Sequence, residues 1–214
     1  MPSMPRQLKA IVFDMDGTLI ESSAVIPDAY IDTITALGGR VPTRDQVIAA
    51  YPVGPPRAML THLMGRPSTA EEVDDYHDRL ARLASHVVVY PGIEDALRSL
   101  QDRVRLAVFT GASLRACRLL LHGAGLLSFF DVLVGADEVE RSKPAPDGIH
   151  LACRRLATDP QDAAYVGDSP GDLEAARRSG SLAVAAAWGH LYRAEEPADV
   201  VVDDPRLLRR LVDN

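Results

Sequence analysis

Cysteine is scarce in this chain of 214 residues: there are two, Cys117 and Cys153. They are far apart, and no Cys-x-x-Cys or Cys/His spacing suggests zinc. Each falls among apolar residues at helical spacing (Leu114, Cys117, Leu121; Ile149, Cys153, Leu156), which reads as two reduced core thiols in a reducing compartment. Long hydrophobic runs are missing too, since no stretch approaches the ~18 residues of a membrane span. The N-terminal run Met1-Pro2-Ser3-Met4-Pro5-Arg6-Gln7 lacks the apolar core of a signal peptide, so the expected location is cytoplasmic. A basic surplus is also absent. The formal net charge of −7 argues against non-specific nucleic-acid binding, though not against a small anionic substrate. Repeats, low complexity and long linkers are lacking as well. With 47% hydrophobic and 25% charged residues, the composition is that of one large globular domain or two unequal ones.

What the chain does have is a pair of acids in an unexpected place. The apolar run Leu8-Lys9-Ala10-Ile11-Val12-Phe13 ends in Asp14-Met15-Asp16-Gly17-Thr18-Leu19. Asp-Gly is a common turn signal, and a turn accounts for part of this pattern. Burying a carboxylate, however, costs several kcal/mol unless it is paired or metal-bound. Acids at the carboxyl end of a buried strand mark the edge where ligands bind in open α/β sheets.

The pattern then changes period. Ile26, Tyr30, Thr33, Ile34 and Leu37 recur at three and four before Gly38-Gly39, and Val73, Tyr76, Leu80 and Leu83 form a second helical stripe. Thr69 and Glu72 stand at capping-box spacing, so the acidic run 71–75 reads as a helix first turn. Residues 21–86 are therefore expected to be all-helical. Beyond Val87, strand-like runs occur at Val104–Phe109, Asp131–Val134, Ala163–Val166, Leu182–Ala187 and Val200–Val202. Helical patterns at Ser113–His122, Asp147–Leu156 and Pro170–Ser179 separate the first four. This alternation implies an α/β fold with a doubly wound parallel sheet. The strand at 8–13 needs that sheet for partners. The expected organisation is a core of residues 1–20 and 87–214 with a helical insertion at 21–86.

Four polar clusters follow four of these strands: Asp14 and Asp16; Thr110-Gly111-Ala112; Lys143 in Arg141-Ser142-Lys143-Pro144; and Gly167-Asp168-Ser169-Pro170-Gly171-Asp172. A parallel sheet would bring all four to one edge. Clustered carboxylates repel unless a cation sits among them, and a hard, oxygen-preferring ion fits best, hence Mg²⁺. Lysine, hydroxyl and backbone amides complement phosphate oxygens. Individual residues also have plain readings. Ser113 can cap the next helix, and Ser169, Pro170 and Asp172 match N-cap, N1 and N3 of the helix that stops before Gly180.

Taken together, these motifs resemble the haloacid dehalogenase superfamily of phosphohydrolases, in the branch with a helical cap inserted after the first motif. Phe129–Asp137 also resembles the usual approach to the family's lysine loop. The resemblance implies that Asp14 is the nucleophile, forming an aspartyl-phosphate. Asp16 would protonate the leaving oxygen and then deprotonate water. It further implies Mg²⁺ held by Asp14, the Asp16 carbonyl and Asp168, with Asp172 a water-mediated ligand or a supporting carboxylate. Thr110, the Gly111 amide and Lys143 would hold the phosphate. Gly111 departs from the pattern, because many relatives carry Asn there, so the grip at that point is expected to be main-chain only. The implied partner is a small phosphorylated metabolite, with neither nucleic acid nor membrane, and the assembly a monomer or homodimer.

Other members of the fold are weighed by residue. A dehalogenase would lack the second acid, and Asp16 is present. A sugar phosphomutase would carry a histidine at Ile26 and a lysine at Val53. A non-enzymatic binding protein would have lost one acid of the first motif. The cap segment Gly54-Pro55-Pro56-Arg57 resembles the Gly-x-x-Arg segment with which sugar-phosphate mutases hold a second phosphate, and also the cap loop of phosphoglycolate phosphatases and small pyrophosphatases; Arg57 could grip a distal carboxylate or phosphate.

Overall fold

A computed structural model describes residues 7–213; residues 1–6, in which the absence of a signal peptide was read, lie outside the described residues. In chain order, the first part contains β1 (Ala10–Phe13), β2 (Ile20–Glu21), α1 (Val25–Ala36), α2 (Arg44–Ala49), α3 (Pro56–Met64) and α4 (Ala70–Leu83). Then follow β3 (Val88–Val89), α5 (Ile93–Leu100), β4 (Arg105–Phe109), α6 (Leu114–Gly123), β5 (Val132–Val134) and α7 (Asp147–Arg155). The last elements are β6 (Ala163–Gly167), α8 (Pro170–Ser179), β7 (Leu182–Ala186) and β8 (Val200–Val202).

Six strands form one parallel sheet in the order β5-β4-β1-β6-β7-β8. β1 is central, and all four of its residues are buried, as a strand covered on both faces requires. Alternate residues feed two cores. Ile11, Phe13, Leu106, Val108 and Val166 pack with α5, α6 and the helical insertion, whereas Ala10, Val12, Ala107, Phe109 and Tyr165 pack with α7 and α8. Each large side chain buried this way contributes about 1.5–3 kcal/mol. The chain winds outward from β1 through β4 to β5, then returns to β6, so the sheet reverses direction around β1. That reversal is where open α/β sheets bind ligands.

The strands and the three core helices fall within a residue or two of the expected positions. The capping box of Thr69 and Glu72 forms, as does that of Ser169 and Asp172. Two further elements, α5 and the β2–β3 pair, complete the fold. α5 buries Ile93, Ala96, Leu97 and Leu100, a three-and-four spacing that does signal a helix. β2 and β3 pair antiparallel, Ile20 with Val89 and Glu21 with Val88, so the two chain segments that lead into and out of the helical insertion form a short ladder. Strands of two residues are too short to show a period. Among the described residues no helix is long and apolar enough to cross a membrane.

Candidate active site

The parallel sheet brings the four polar clusters to one edge. Asp14 directly follows β1, and its amide donates to the Val166 carbonyl of β6 at 2.8 Å. Thr110 directly follows β4, Asp168 follows β6, and Lys143 arrives on the loop between β5 and α7, through a cis bond to Pro144. Asp14, Thr110, Asp168 and Asp172 are all buried.

Lys143 is the hub. Its Nζ donates to Asp14 Oδ1 at 2.5 Å and to Asp172 Oδ1 at 2.8 Å, and lies 5.6 Å from the centre of the Phe109 ring. Burial pulls the ammonium down, but Asp14 and Asp172 outweigh it and hold its pKa above the ordinary lysine range. Burial pushes the Asp14 carboxyl well up, against the pull of Lys143 and with the help of Asp172, Asp168 and Asp16. Burial also raises Asp16, which accepts from Ser22 Oγ and, at a long 3.5 Å, from Thr110 Oγ1. Thr110 Oγ1 in turn accepts from the Ala112 amide at 3.1 Å, which fixes the loop after β4.

The donor set fits a divalent cation. Asp14, Asp168 and Asp172 each offer a carboxylate oxygen, and these atoms lie within 4.8 Å of one another. Asp168 Oδ2 accepts from the Leu191 amide at 2.9 Å, but its Oδ1 is buried with no partner among the described residues. A buried, unsatisfied carboxylate oxygen costs more than a net hydrogen bond returns, so it calls for a cation. Burial lifts the Asp168 carboxyl to about 6. Its cradle is glycine-built: a Cβ added at Gly17 or at Gly189 would come within 3.0 Å of the Asp168 side chain.

Asp172 is engaged on both oxygens. Oδ2 accepts from Ser169 N at 3.0 Å and Ser169 Oγ at 2.6 Å, as the N3 partner of N-cap Ser169 in the capping box of α8. Oδ1 faces Lys143 and lies 3.2 Å from the Tyr165 hydroxyl. The helix-cap and active-site readings of Asp172 thus hold together. Tyr165 and Ser22 went unread in the sequence. A tyrosine in a buried strand reads as core, and a serine just before a helix reads as punctuation. The tyrosine of Ala163-Ala164-Tyr165-Val166, which needs a partner for its hydroxyl when buried, was the one available signal.

The remaining candidates lie in or beside the insertion. Gly111 is exposed, and a Cβ there would meet nothing within 4 Å. Arg57 is exposed at the start of α3 and lines an open groove with Val53, Pro55, Thr61, His62 and Ser68. Ile26 is buried in the main core, and Val53 is exposed. Cys117 and Cys153 are free and buried; burial lifts the Cys153 thiol to about 11.

Known proteins share this architecture. The N-acetylmuramic acid 6-phosphate phosphatase of Pseudomonas aeruginosa is 32% identical over 97% of this chain and 96% of its own. The phosphoglycolate phosphatase of Aquifex aeolicus is 30% identical over 97% of this chain and 98% of its own. The crystal structure of CbbY from Rhodobacter sphaeroides in complex with phosphate superposes with a TM-score of 0.81 at 28% identity, covering 94% of this chain and 96% of that one. A family model for haloacid dehalogenase-like hydrolases matches residues 8–180, and the chain belongs to that family.

Proposed function

We propose that this protein is a Mg²⁺-dependent phosphatase that hydrolyses a small phosphomonoester through an aspartyl-phosphate on Asp14. The observation that carries this is the ion pair of buried Asp14 with Lys143, in a carboxylate cluster with Asp168, one of whose oxygens has no partner among the described residues. Asp14, Asp168 and the Asp16 carbonyl would hold the ion, with Asp172 supporting through Lys143 and the end of α8. When bound, the ion supplies charge neutralisation for the phosphate oxygens.

This chain's own residues do the rest. Lys143, Thr110 and the Gly111 amide hold the phosphate. A carboxylate can approach a phosphate dianion only when their repulsion is screened, and Lys143 stands beside Asp14 to do so. Asp14 Oδ2, which accepts from Thr18 Oγ1 at 3.5 Å, forms the new bond to phosphorus. The ester oxygen leaves with the proton of Asp16, whose burial favours the protonated form. Water then attacks the same phosphorus and gives its proton to Asp16, releasing phosphate and restoring Asp14. This is positioning and charge stabilisation, which is what phosphoryl transfer requires.

Residues 1–20 and 87–214 would be the catalytic core, and 21–86 the cap that selects the substrate. The substrates named for the two relatives above are both phosphomonoesters of a carboxylic acid. That chemistry suits a cap arginine, and Arg57 is the residue we assign to the distal carboxylate. Ile26, an apolar core residue where a mutase would carry a histidine, favours transfer to water over transfer to a sugar. We place the enzyme in the cytoplasm, as a monomer or homodimer.

The test is turnover of an aryl phosphate, phosphoglycolate and N-acetylmuramate 6-phosphate, with Mg²⁺ and after chelation. Activity should vanish on chelation and return with Mg²⁺. Asp14→Asn should abolish turnover and covalent labelling by phosphate. Asp16→Asn should slow both half-reactions and leave ion affinity nearly unchanged. Full activity in chelated enzyme removes the ion from the mechanism, and wild-type turnover by Asp14→Asn sinks the nucleophile.

A further inference from the structure

One buried polar contact joins the cap to the core without belonging to the chemistry above. His77, on α4, is 4% exposed, and Ser113, just before α6, is also 4% exposed. His77 Nε2 lies 2.9 Å from Ser113 Oγ. The same Oγ accepts from the Ala116 amide at 3.2 Å and so caps α6. Three residues earlier stands Thr110, and the turn from Thr110 to Ser113 is the segment that would grip the phosphate. Next to His77 in sequence, Tyr76 stacks on Tyr30 of α1 with ring centres 4.2 Å apart. Adjacent residues of α4 therefore hold the body of the cap and the start of α6. Arg115 extends the seam on the surface, pairing with Asp74 and Asp78 of α4.

We propose that His77 is a positioning residue: through Ser113 it locks the phosphate-holding turn 110–113 to the cap, so that cap placement and phosphate grip are set together. The physical reason is that the two partners are buried: separating them strips His77 Nε2 of this partner and leaves Ser113 Oγ with the Ala116 amide alone. A cap that moved away as one body would break this contact, so the docked position is the one in which the turn is held. This rests on the phosphatase reading, because the segment it positions is the one assigned to phosphate.

Steady-state kinetics of His77→Phe, which keeps ring volume and removes the hydrogen bond, tests it. KM for aryl phosphate and for phosphoglycolate should rise together about fivefold, the factor of one ordinary hydrogen bond, and the inhibition constant of inorganic phosphate should rise with them. The fall in kcat should stay under about twofold. His77→Gln, which can return a nitrogen near Ser113, should regain most of the loss. In a Ser113→Ala background His77→Phe should add nothing. Unchanged KM and phosphate inhibition in His77→Phe, or effects that simply add to those of Ser113→Ala, overturn the proposal. Should His77→Phe fail to fold, the same split is read between His77→Gln and the shorter His77→Asn, and equal constants for those two overturn it. If the wild type turns over no phosphomonoester, the phosphatase reading fails instead. The lock is then read by amide hydrogen exchange at Ala112 and Ala116 in the whole chain. Faster exchange in His77→Phe supports it, and unchanged exchange overturns it.

Discussion

At the scale of single residues, the site is built by letting one side chain serve two needs. Asp172 closes the first turn of α8 through Ser169 and fixes Lys143 through its other oxygen. Helix capping and charge placement then share one carboxylate, and neither account excludes the other. Gly17 works the same way. It turns the chain after the two acids with φ +89°, a left-handed conformation that side chains resist, and its missing Cβ leaves room for Asp168. Gly17→Ala should cost about 1–2 kcal/mol for the backbone alone, and more through the collision with Asp168. Wild-type protein should gain thermal stability on adding Mg²⁺, because a ligand that binds only the folded state stabilises it. Gly17→Ala should lose that gain. Calorimetry with and without the ion checks this, and a wild-type shift in the variant would show that the cradle can yield.

At the scale of elements, α6 meets the cap along its length. Its start is held by His77, and its end comes so close to the turn after α4 that a Cβ on Gly123 would fall within 3.0 Å of the Ala84 backbone. Backbone cannot swing aside as a flexible side chain can. Gly123→Ala should destabilise the protein by about 1–3 kcal/mol, the usual range for overpacking. Gly111→Ala, where a Cβ meets open space, should change stability by less than about 0.5 kcal/mol. Urea denaturation of the two variants decides the point, and equal midpoints would mean that α6 shifts at little cost.

At the scale of the whole molecule, the proposed function assigns chemistry and selection to different parts of the chain. The β2–β3 ladder ties together the segments on either side of residues 22–87. If Arg57 reads a distal carboxylate, Arg57→Ala should lower kcat/KM for phosphoglycolate by about 1.5–3 kcal/mol, the value of a hydrogen bond to a charged group. Aryl phosphate, which has no distal anion, should barely change. Equal losses on both substrates would make Arg57 a support of the cap, and no loss on either would make it an ordinary exposed arginine of α3.

The sequence by itself determined the sheet, the order of its helices and the four polar clusters, because each rests on short-range pattern. Short apolar runs marked the strands, three-and-four spacing marked α1, α4 and the core helices, and acids at strand ends stood out against apolar neighbours. Tertiary structure alone decided which groups meet. Lys143 and Asp14 are 129 residues apart, and only the parallel sheet with its long loop after β5 brings them to 2.5 Å. The bond of His77 to Ser113 and the place of Tyr165 beside Asp172 were likewise invisible, since a histidine on a helix and a tyrosine in a strand each satisfy their local pattern without revealing a partner. The β2–β3 ladder is too short to have a period at all. Local pattern fixes where a side chain starts, and long-range packing fixes what it touches.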